Sequence, residues 1–413
     1  MNILGLKRPW FIASFSVGMY PETDDYRDLP VRGEILVELD IERDLYPCPN
    51  CRTFCKVHQY ETRHYSHPRV CGMATVIRAR VPKLRCDVCD GFPQMEVPWA
   101  RPRVSYTKML EREVFLLLAD LPVSGASELN GLTMWTVWDM IRFRVNEALQ
   151  RMDLSDVTMF YVDETSSKKG HNYITVVNDQ KGRTIFVCEG KGSDTMDRLC
   201  QWLLEHNGNP ENIDCVSCDL GDAYPAGVRR NFPNARIVYD RFHAVKLIND
   251  ALDTLTRREM SQHAQLRGIR KMLMLNPSAY SEEDLKRLES TVSEFRELSM
   301  NFRLKNVFLS IYEYTEKETA SHTLDLWYED VLAHGCREMV TAANSIMTRR
   351  EGILAWFDDR VSNGYAEGIN SLIQTTKRVA RGYRNIDNFI AMIYLRDGHL
   401  DISFDRGPGL SPW

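Results

Sequence analysis

Asp163 stands near the end of the strand-like run "VTMFYVDET", and Asp219 near the end of "DCVSCDL". If those runs lie side by side in one sheet, their carboxylates converge, repel each other and resist burial unless cations neutralise them. Hard oxygen donors of this kind suit a pair of Mg²⁺ ions, or Mn²⁺, serving phosphoryl transfer. Such a cage needs a third carboxylate. Each aspartate taken alone also has a plainer reading as a turn cap. Glu164 adjoins Asp163, but successive strand residues face opposite ways, so only one of them can face the site. Asp222 stands where a helix over 222–231 would take an N-cap. In "YDRFH", Asp240 and His243 follow the next strand; His243 either orients phosphate or water beside metals or is a structural partner of Asp240. Late in the chain, "VSNGYAEGIN" holds one carboxylate, Glu367, just ahead of a basic segment.

A second set of residues suits a different metal. "CPNC" (Cys48, Cys51) and "CDVC" (Cys86, Cys89) are two CxxC knuckles separated by a strand-rich interval, the spacing by which thiolates from two turns close a tetrahedral Zn²⁺ site. Four thiolates leave no open position, so one zinc there is structural. Cys55, Cys71, His58, His64 and His67 are possible replacements for one ligand, and four buried cysteines in a small β-domain are the metal-free alternative.

Charge is concentrated by segment. The formal net charge of −5 argues against wholesale coating of nucleic acid, yet residues 76–112 carry eight Lys or Arg against four acidic residues. Arg78, Arg80, Lys83, Arg85, Arg101 and Arg103 are candidate phosphate contacts from that stretch. "TMWTVWDMIRFR" then reads as a recognition helix with Thr133 as its N-cap and Thr136 and Arg142 near exposed turns. Trp135 and Trp138, at i and i+3, are expected to face a core rather than read bases. After Glu367, Asn370 and Gln374 share its helix face. Lys377, Arg378, Arg381 and Arg384 follow with no acid before Asp387, which reads as a strip for DNA backbone or as a solvated basic helix end.

The elements that must position these groups are legible in outline. Residues 1–100 read as short strands broken by Pro, Gly and Cys, and the opening "LKRPWFIASFSVGMY" as half of a hairpin rather than as a signal peptide, because it lacks a Leu core and leads into "GEILVELDI". Residues 105–150 predict two longer helices around a short one, a helix-turn-helix outline. From 157 the order is βββαβαβ, and 244–357 is almost wholly helical. Within it Trp327 is expected to be a core residue rather than a base-stacking one. The 413 residues therefore divide into a zinc-binding domain (1–100), a helix-turn-helix domain (101–150), a first part of an α/β core (151–243), an all-helical insertion (244–357) and a second part of the core with the C-terminal tail (358–413). No run approaches the roughly 18 apolar residues of a membrane span, so no membrane role is expected. Eleven cysteines, an odd number in close pairs and singletons, suit a reducing compartment, and the expected location is cytoplasmic, at the nucleoid when bound to DNA.

The order CPxC…CxxC, helix-turn-helix, "VDETSSKKGHNY", "SCDLGDAYPAGVRRNFPNARIVYDRFHAVKLINDALD" and "SNGYAEGINSLIQTTKRVARGYRN" resembles the bacterial insertion-sequence transposases of the ISL-three family across nearly the whole chain. The resemblance implies a DDE enzyme with a ribonuclease-H-like fold. It implies that Asp163, Asp219 and Glu367 are the acidic triad, that Asp240 and His243 form a [C/D]-x-x-H signature, and that the helical block is an insertion accounting for the 148 residues between Asp219 and Glu367. The implied activity is binding of an element's terminal repeats and Mg²⁺-dependent cleavage and transfer of DNA strands. The implied partners are double-stranded DNA and further copies of the chain, at least a dimer when ends are paired. A ribonuclease-H-like nuclease without strand transfer and a zinc/helix-turn-helix regulator are the competing readings.

Overall fold

The computed structural model describes residues 6, 9–19, 33–42, 45–166, 173–275, 281–359, 364–402 and 404; for Met19, Tyr365, Ala366, Glu367, Ile369, Asn370 and Asp359 it describes the backbone alone. The chain forms two compact units, Met1–Leu149 with Leu400–Trp413, and Gln150–His399.

In the first unit, β1 (Trp10–Met19), β2 (Gly33–Ile41), β3 (Leu45–Pro47), β4 (Phe54–Val70) and β5 (Met73–Arg85) form one sheet in the order β1-β2-β5-β4-β3. β1 pairs antiparallel with β2, as the hairpin expectation required. Strict alternation in "GEILVELDI" buries every second residue of β2, so Ile35, Val37 and Leu39 face the core with Trp99, which stacks edge-on against Trp10 at 4.7 Å. β4 and β5 are longer than the short, broken strands expected from sequence. Pro82 does not break β5, and Pro68 falls where the register shifts between His67 and Val70, a place where a ladder can spare an N–H.

Three helices follow: α1 (Lys108–Leu118), α2 (Val123–Leu129) and α3 (Met134–Leu149). The hydroxyl of Thr107 caps α1 by accepting the Leu110 N–H at 3.2 Å. Glu111 is fully buried and held by Arg144 at 2.6 Å and Arg101 at 2.9 Å. Phe404 packs edge-on against Phe115 at 5.4 Å, which brings the C-terminal segment back to this unit.

The second unit is built on β6 (Met159–Ser166), β7 (Tyr173–Asp179), β8 (Thr184–Glu189), β9 (Cys215–Cys218) and β10 (Arg236–Tyr239), in the order β10-β9-β6-β7-β8. β6, β7 and β8 are antiparallel, while β9 and β10 run parallel to β6. With α4 (Asp194–Glu205) before β9 and α5 (Ala223–Asn231) before β10, this is the expected βββαβαβ, ribonuclease-H-like unit. Among the described residues eight α-helices then intervene: α6 (Arg241–Met260), α7 (Arg270–Leu273), α8 (Glu282–Ser293), α9 (Arg296–Ile311), α10 (Lys317–His334), α11 (Arg337–Thr348), α12 (Arg350–Leu354) and α13 (Trp356–Asp359). They share one continuous apolar core with the sheet, from Phe160 and Val216 to Phe308 and Trp327. The chain returns through α14 (Gly364–Val379) and α15 (Ile386–Asp397).

Both edges of this sheet are covered. At Gly352 of α12 a Cβ would stand 2.6 Å from the Tyr239 ring, so the missing side chain is what lets the helix lie on β10. On the other side the Tyr394 hydroxyl accepts the Val187 N–H of β8 at 2.9 Å.

Trp327 is 1% exposed, donates its indole N–H to the Leu304 carbonyl at 2.9 Å and lies 4.8 Å from Phe308. It is a core residue, as expected. Trp327→Ala is expected to destabilise the second unit by about 3–5 kcal/mol, read as a lower urea midpoint, while leaving DNA affinity unchanged where the variant is folded. A loss of affinity with unchanged stability would place the indole on DNA instead.

Candidate active site and metal centre

Parallel pairing of β6 with β9 matches Met159 to Cys215, Phe160 to Val216 and Tyr161 to Ser217. Continued two residues further, the same register sets Asp163 opposite Asp219. Opposed residues of neighbouring strands share a face at about 4.8 Å strand spacing, so the two carboxylates called from sequence converge at adjacent strand ends. Each is tied locally: Asp163 Oδ1 accepts the Glu164 N–H at 2.6 Å and Asp219 Oδ1 accepts the Gly221 N–H at 3.1 Å.

The next strand supplies the third corner. The Asp240 N–H donates to the Cys218 carbonyl at 3.0 Å, which holds the start of α6 beside the end of β9. Asp240 caps α6 by accepting the Phe242 N–H at 2.9 Å, and its other oxygen bonds His243 Nδ1 at 3.0 Å. That hydrogen bond, aided by the charges of Asp240, Asp163 and Asp219, raises the His243 pKa above its ordinary value against the opposing effect of burial. His243 is thus the structural partner of Asp240, one of the two readings offered by sequence, and it also lies within the field of both aspartates.

Glu164 has other work. It pairs with Thr175 across β6–β7, its carboxylate lies 3.8 Å from Lys191, and it takes a hydrogen bond with the Tyr224 hydroxyl. Burial, followed by repulsion from Asp219, raises its pKa. Asp222 sits at the N-cap position of α5 but makes no side-chain cap bond, contrary to expectation; its carboxylate reaches out to Arg349 at 2.6 Å instead.

α14 is fastened to the face of β6 that carries Asp163. Gln374 donates to the Thr165 hydroxyl, and Lys377 to the Ser166 carbonyl, both at 2.6 Å. These anchors have no signature in the sequence, which set Gln374 only on the helix face of Glu367 and Lys377 in a strip for DNA backbone or a solvated helix end. Glu367 and Asn370 lie on α14, but their side chains fall outside the described residues. Beyond the anchors, Arg378, Arg381 and Arg384 are exposed, with Arg381 in the left-handed turn that ends the helix.

The cysteine cluster has zinc-site dimensions. The four sulfurs of Cys48, Cys51, Cys86 and Cys89 all lie within 4.8 Å of one another, with Cys51–Cys86 at 3.5 Å and Cys48–Cys89 at 3.9 Å. Tetrahedral Zn–S bonds of about 2.3 Å require sulfur separations of about 3.8 Å. The two knuckles are built alike: Arg52 and Asp90, each four residues after the first cysteine, take positive φ (65° and 45°). Crowded thiols split their titrations, with Cys51 drawn down to about 6 by hydrogen bonds with Thr53 and Cys89 pushed up to about 12 by its cysteine neighbours. A divalent cation that takes all four as thiolates removes that conflict. Of the alternative ligands, Cys55 lies beside the four, buried with its thiol on the Thr53 carbonyl at 3.3 Å, and burial followed by Cys86 pushes its pKa up to about 11. The others are elsewhere: Cys71 is exposed in the β4–β5 turn, His64 is exposed on β4, His58 packs on Phe92 at 4.5 Å, and buried His67 bonds the Thr107 hydroxyl at 3.0 Å, with burial lowering its pKa to about 4.

The basic segment is largely engaged. Arg78 pairs with Glu38 across β2–β5, Arg80 with Asp40 at 3.0 Å, and Arg85 with Asp87 at 3.4 Å. Arg101 is 11% exposed, bound to Glu111 and stacked on Phe143 at 3.6 Å, so it holds the helices together. Lys83 is half-buried and Arg103 exposed. On α3, Thr133 caps as expected, accepting the Thr136 N–H at 3.1 Å, and Thr136 and Arg142 are half-buried. Trp138 is half-buried, but Trp135 is 71% exposed, against the expectation that both face the core. The buried stripe of α3 begins at Val137 and runs through Met140, Ile141, Arg144, Val145 and Ala148, which leaves Trp135 on the far side.

Comparison with known proteins covers these same parts. A family model for the transposase domain of the ISL3 type, described as "Transposase", matches residues 160–393. One for the helix-turn-helix domain of transposase family ISL3 matches residues 95–145, and one for the zinc-finger of transposase IS204/IS1001/IS1096/IS1165 matches 45–89. The transposase for insertion sequence element IS1001 of Bordetella parapertussis is 26% identical over 357 residues, covering 84% of this chain and 87% of that one. The transposase for insertion sequence element IS1557 of Mycobacterium tuberculosis is 25% identical over 351 residues, covering 77% and 78%.

Elemental analysis of the purified chain is expected to find one zinc per polypeptide, and Cys86→Ser to lose it. Stripping the metal should expose residues 45–91 to protease while the second unit keeps its unfolding transition. Full protease resistance without zinc would refute a structural metal.

Proposed function

Since the chain belongs to the ISL3 family of insertion-sequence transposases, we propose that it binds the terminal inverted repeats of its element and catalyses divalent-metal-dependent cleavage and transfer of DNA strands, with Asp163, Asp219 and Glu367 as the triad. The observation that carries this reading is the β6–β9 register that opposes Asp163 to Asp219. We take Glu367 as the third member, and the position of its backbone supports that choice. It precedes Gln374 by seven residues, or about 10 Å of helix, and the two anchors run α14 along β6 in the same sense. Counting back from Thr165 at about 3.3 Å per strand residue brings its backbone level with residues 162–163.

The donor set fits Mg²⁺ or Mn²⁺: three carboxylates and no sulfur or imidazole among them. Two such ions, when bound, would lower the pKa of the attacking water or 3′-hydroxyl and stabilise the leaving oxygen. The residues do the positioning. Asp163 and Asp219 are fixed by backbone hydrogen bonds, and Gln374 and Lys377 hold α14 in register with β6. Asp240 orients the His243 ring by its Nδ1, which directs Nε2 away from that bond and makes it available to a phosphate or a water. No covalent protein intermediate is needed. Cleavage at the element's end frees a 3′-hydroxyl, and that hydroxyl attacks the target phosphodiester.

DNA contacts fall to exposed groups. On the recognition helix α3 we assign base contacts to its first turn, where Trp135 is bare and Thr136 follows, with Arg142 toward the backbone. Arg378, Arg381 and Arg384 form a strip for the strand entering the carboxylate site, with Asn370 on the way to it. Arg103 and Lys83 remain candidates from the basic segment. Arg78, Arg80 and Arg85 contribute only by exchanging their carboxylate partners for phosphate, and Arg101 supports the fold. Pairing two element ends requires at least two copies of the chain.

The test combines protein, Mg²⁺, a labelled duplex of the element's end and a target plasmid. Joined product is expected from wild type. Asp163→Asn, Asp219→Asn and Glu367→Gln are each expected to lower cleavage and joining by at least about 10³-fold, in line with removing a group that stabilises transition-state charge, while binding the end normally. Nicks without joined product would favour the nuclease reading, and full joining by Glu367→Gln would remove Glu367 from the triad.

A further inference from the structure

β1 is an edge strand of unusual make-up. Among the described residues it pairs with β2 alone, and positions 11–18 are all exposed. Its sequence, WFIASFSVGM, contains no charged residue and no proline, the two devices that normally keep a free edge from pairing with another chain. The opposite edge of the same sheet is blunted: β3 is only three residues long and ends in Pro47. Both edges of the catalytic sheet are covered by helices. Among the described residues β1 alone is a long edge with no strand or helix on it.

The strand is also patterned for a cover. Its register shifts between Ile12 and Ser14, a bulge at Ala13. Before the bulge Trp10 and Ile12 oppose Ile41 and Leu39, and after it Phe15 and Val17 oppose Val37 and Ile35, all four partners being buried core residues of β2. Without the extra residue, Phe15 and Val17 would turn to the other face, where the partners are Glu34, Leu36, Glu38 and Asp40. The bulge thus keeps Trp10, Ile12, Phe15 and Val17 together on the core face. Yet only Trp10 is buried there, while Ile12 is 52%, Phe15 61% and Val17 45% exposed. The apolar face of the sheet extends past its own core.

We propose that a second copy of this chain docks on β1 by antiparallel pairing of the two β1 strands, joining the two sheets across a two-fold axis. A free edge is complementary to itself under such an axis, since each unpaired N–H meets the copy's carbonyl and no like charges meet. The segment after the bulge satisfies the face rule. Paired about Ser16, Phe15 lies opposite Val17 of the second copy and Ser14 opposite its Gly18, so apolar meets apolar and small polar meets small. A neutral strand offers nothing to phosphate, which disfavours DNA as the occupant. The proposal leans on the transposase reading only for the need of two copies, and its test contains no DNA.

The experiment uses full-length, zinc-loaded protein. Light scattering or sedimentation should give twice the 47.9 kDa chain mass for wild type and for Asp163→Asn alike. Phe15→Lys with Val17→Lys should weaken the dimer by at least tenfold while zinc content and circular dichroism stay as in wild type. Independently, Ser16→Cys should form an interchain disulfide under mild oxidation in high yield, since opposed strand residues bring Cα atoms within about 5.5 Å, whereas exposed Ser290→Cys should not. If the lysine variant misfolds, the cross-link decides. A monomeric wild type, or a dimer that ignores both β1 changes, overturns the proposal. So does a monomer whose β1 amides are protected from exchange, which would assign the cover to this chain's own residues.

Discussion

The repulsion between two carboxylates that a parallel register sets face to face is the constraint around which the second unit is arranged. With the β6–β9 register continued to Asp163 and Asp219, two like charges stand at neighbouring strand ends and repel each other. Apolar side chains in that place would have been more stable. The surrounding groups respond to the charge: His243 is held on Asp240 with its pKa raised partly by both aspartates, and Glu164 is pushed toward its neutral form partly by Asp219. A fold that retains such a conflict stores it for cations or for a substrate that brings them, which is why the register carries more weight than the identity of either residue.

In the proposed triad the third carboxylate, Glu367, comes from a helix rather than from the sheet. That helix is tied to β6 by Gln374 and Lys377, and among the described residues eight α-helices precede it after β10. Those helices are not a loose excursion. Their core is continuous with the sheet's, α12 lies on β10 where Gly352 leaves room for Tyr239, and buried Lys305 holds the Leu273 carbonyl at 3.0 Å near the end of α7. The cost of placing residues so far apart in sequence is loop closure, which grows only slowly with length. Packing over the whole insertion offsets it, so a separation of 148 residues between Asp219 and Glu367 is compatible with one rigid unit.

What the sequence disclosed and what it withheld follow from the range of the interactions involved. The strand order, the capping of α3 by Thr133 and the two CxxC knuckles depend on near neighbours and on period-2 alternation, and all are as read. The two strand-end aspartates could be singled out because each follows an apolar strand run, and β6 and β9 do lie side by side. The anchors Gln374–Thr165 and Lys377–Ser166 bridge more than 200 residues and carry no local signature. Trp135 and Trp138 have the right spacing for one buried face, but spacing fixes only which residues share a face, not which face meets the core. The first buried position, Val137, decides that, and it leaves Trp135 outside.

Counting cations along the chain leaves their partners unread for the same reason. Eight Lys or Arg in residues 76–112 suggested a phosphate-binding patch, yet the strand partner of Arg78 is Glu38, Arg80 reaches Asp40, and Arg101 sits against buried Glu111. An arginine facing a carboxylate presents a dipole rather than a charge, and its field falls off within a few ångströms in salt. The segment after Glu367 is different in kind, because no acid occurs between it and Asp387 and the exposed Arg378, Arg381 and Arg384 share one helix end and its turn. There the charges add, and they do so next to the face of β6 that carries Asp163. Under the proposed function, attraction of a phosphodiester to that strip would lead it toward the carboxylates whose own field would otherwise repel it, so that binding energy gathered from the backbone offsets the repulsion at the reacting phosphate.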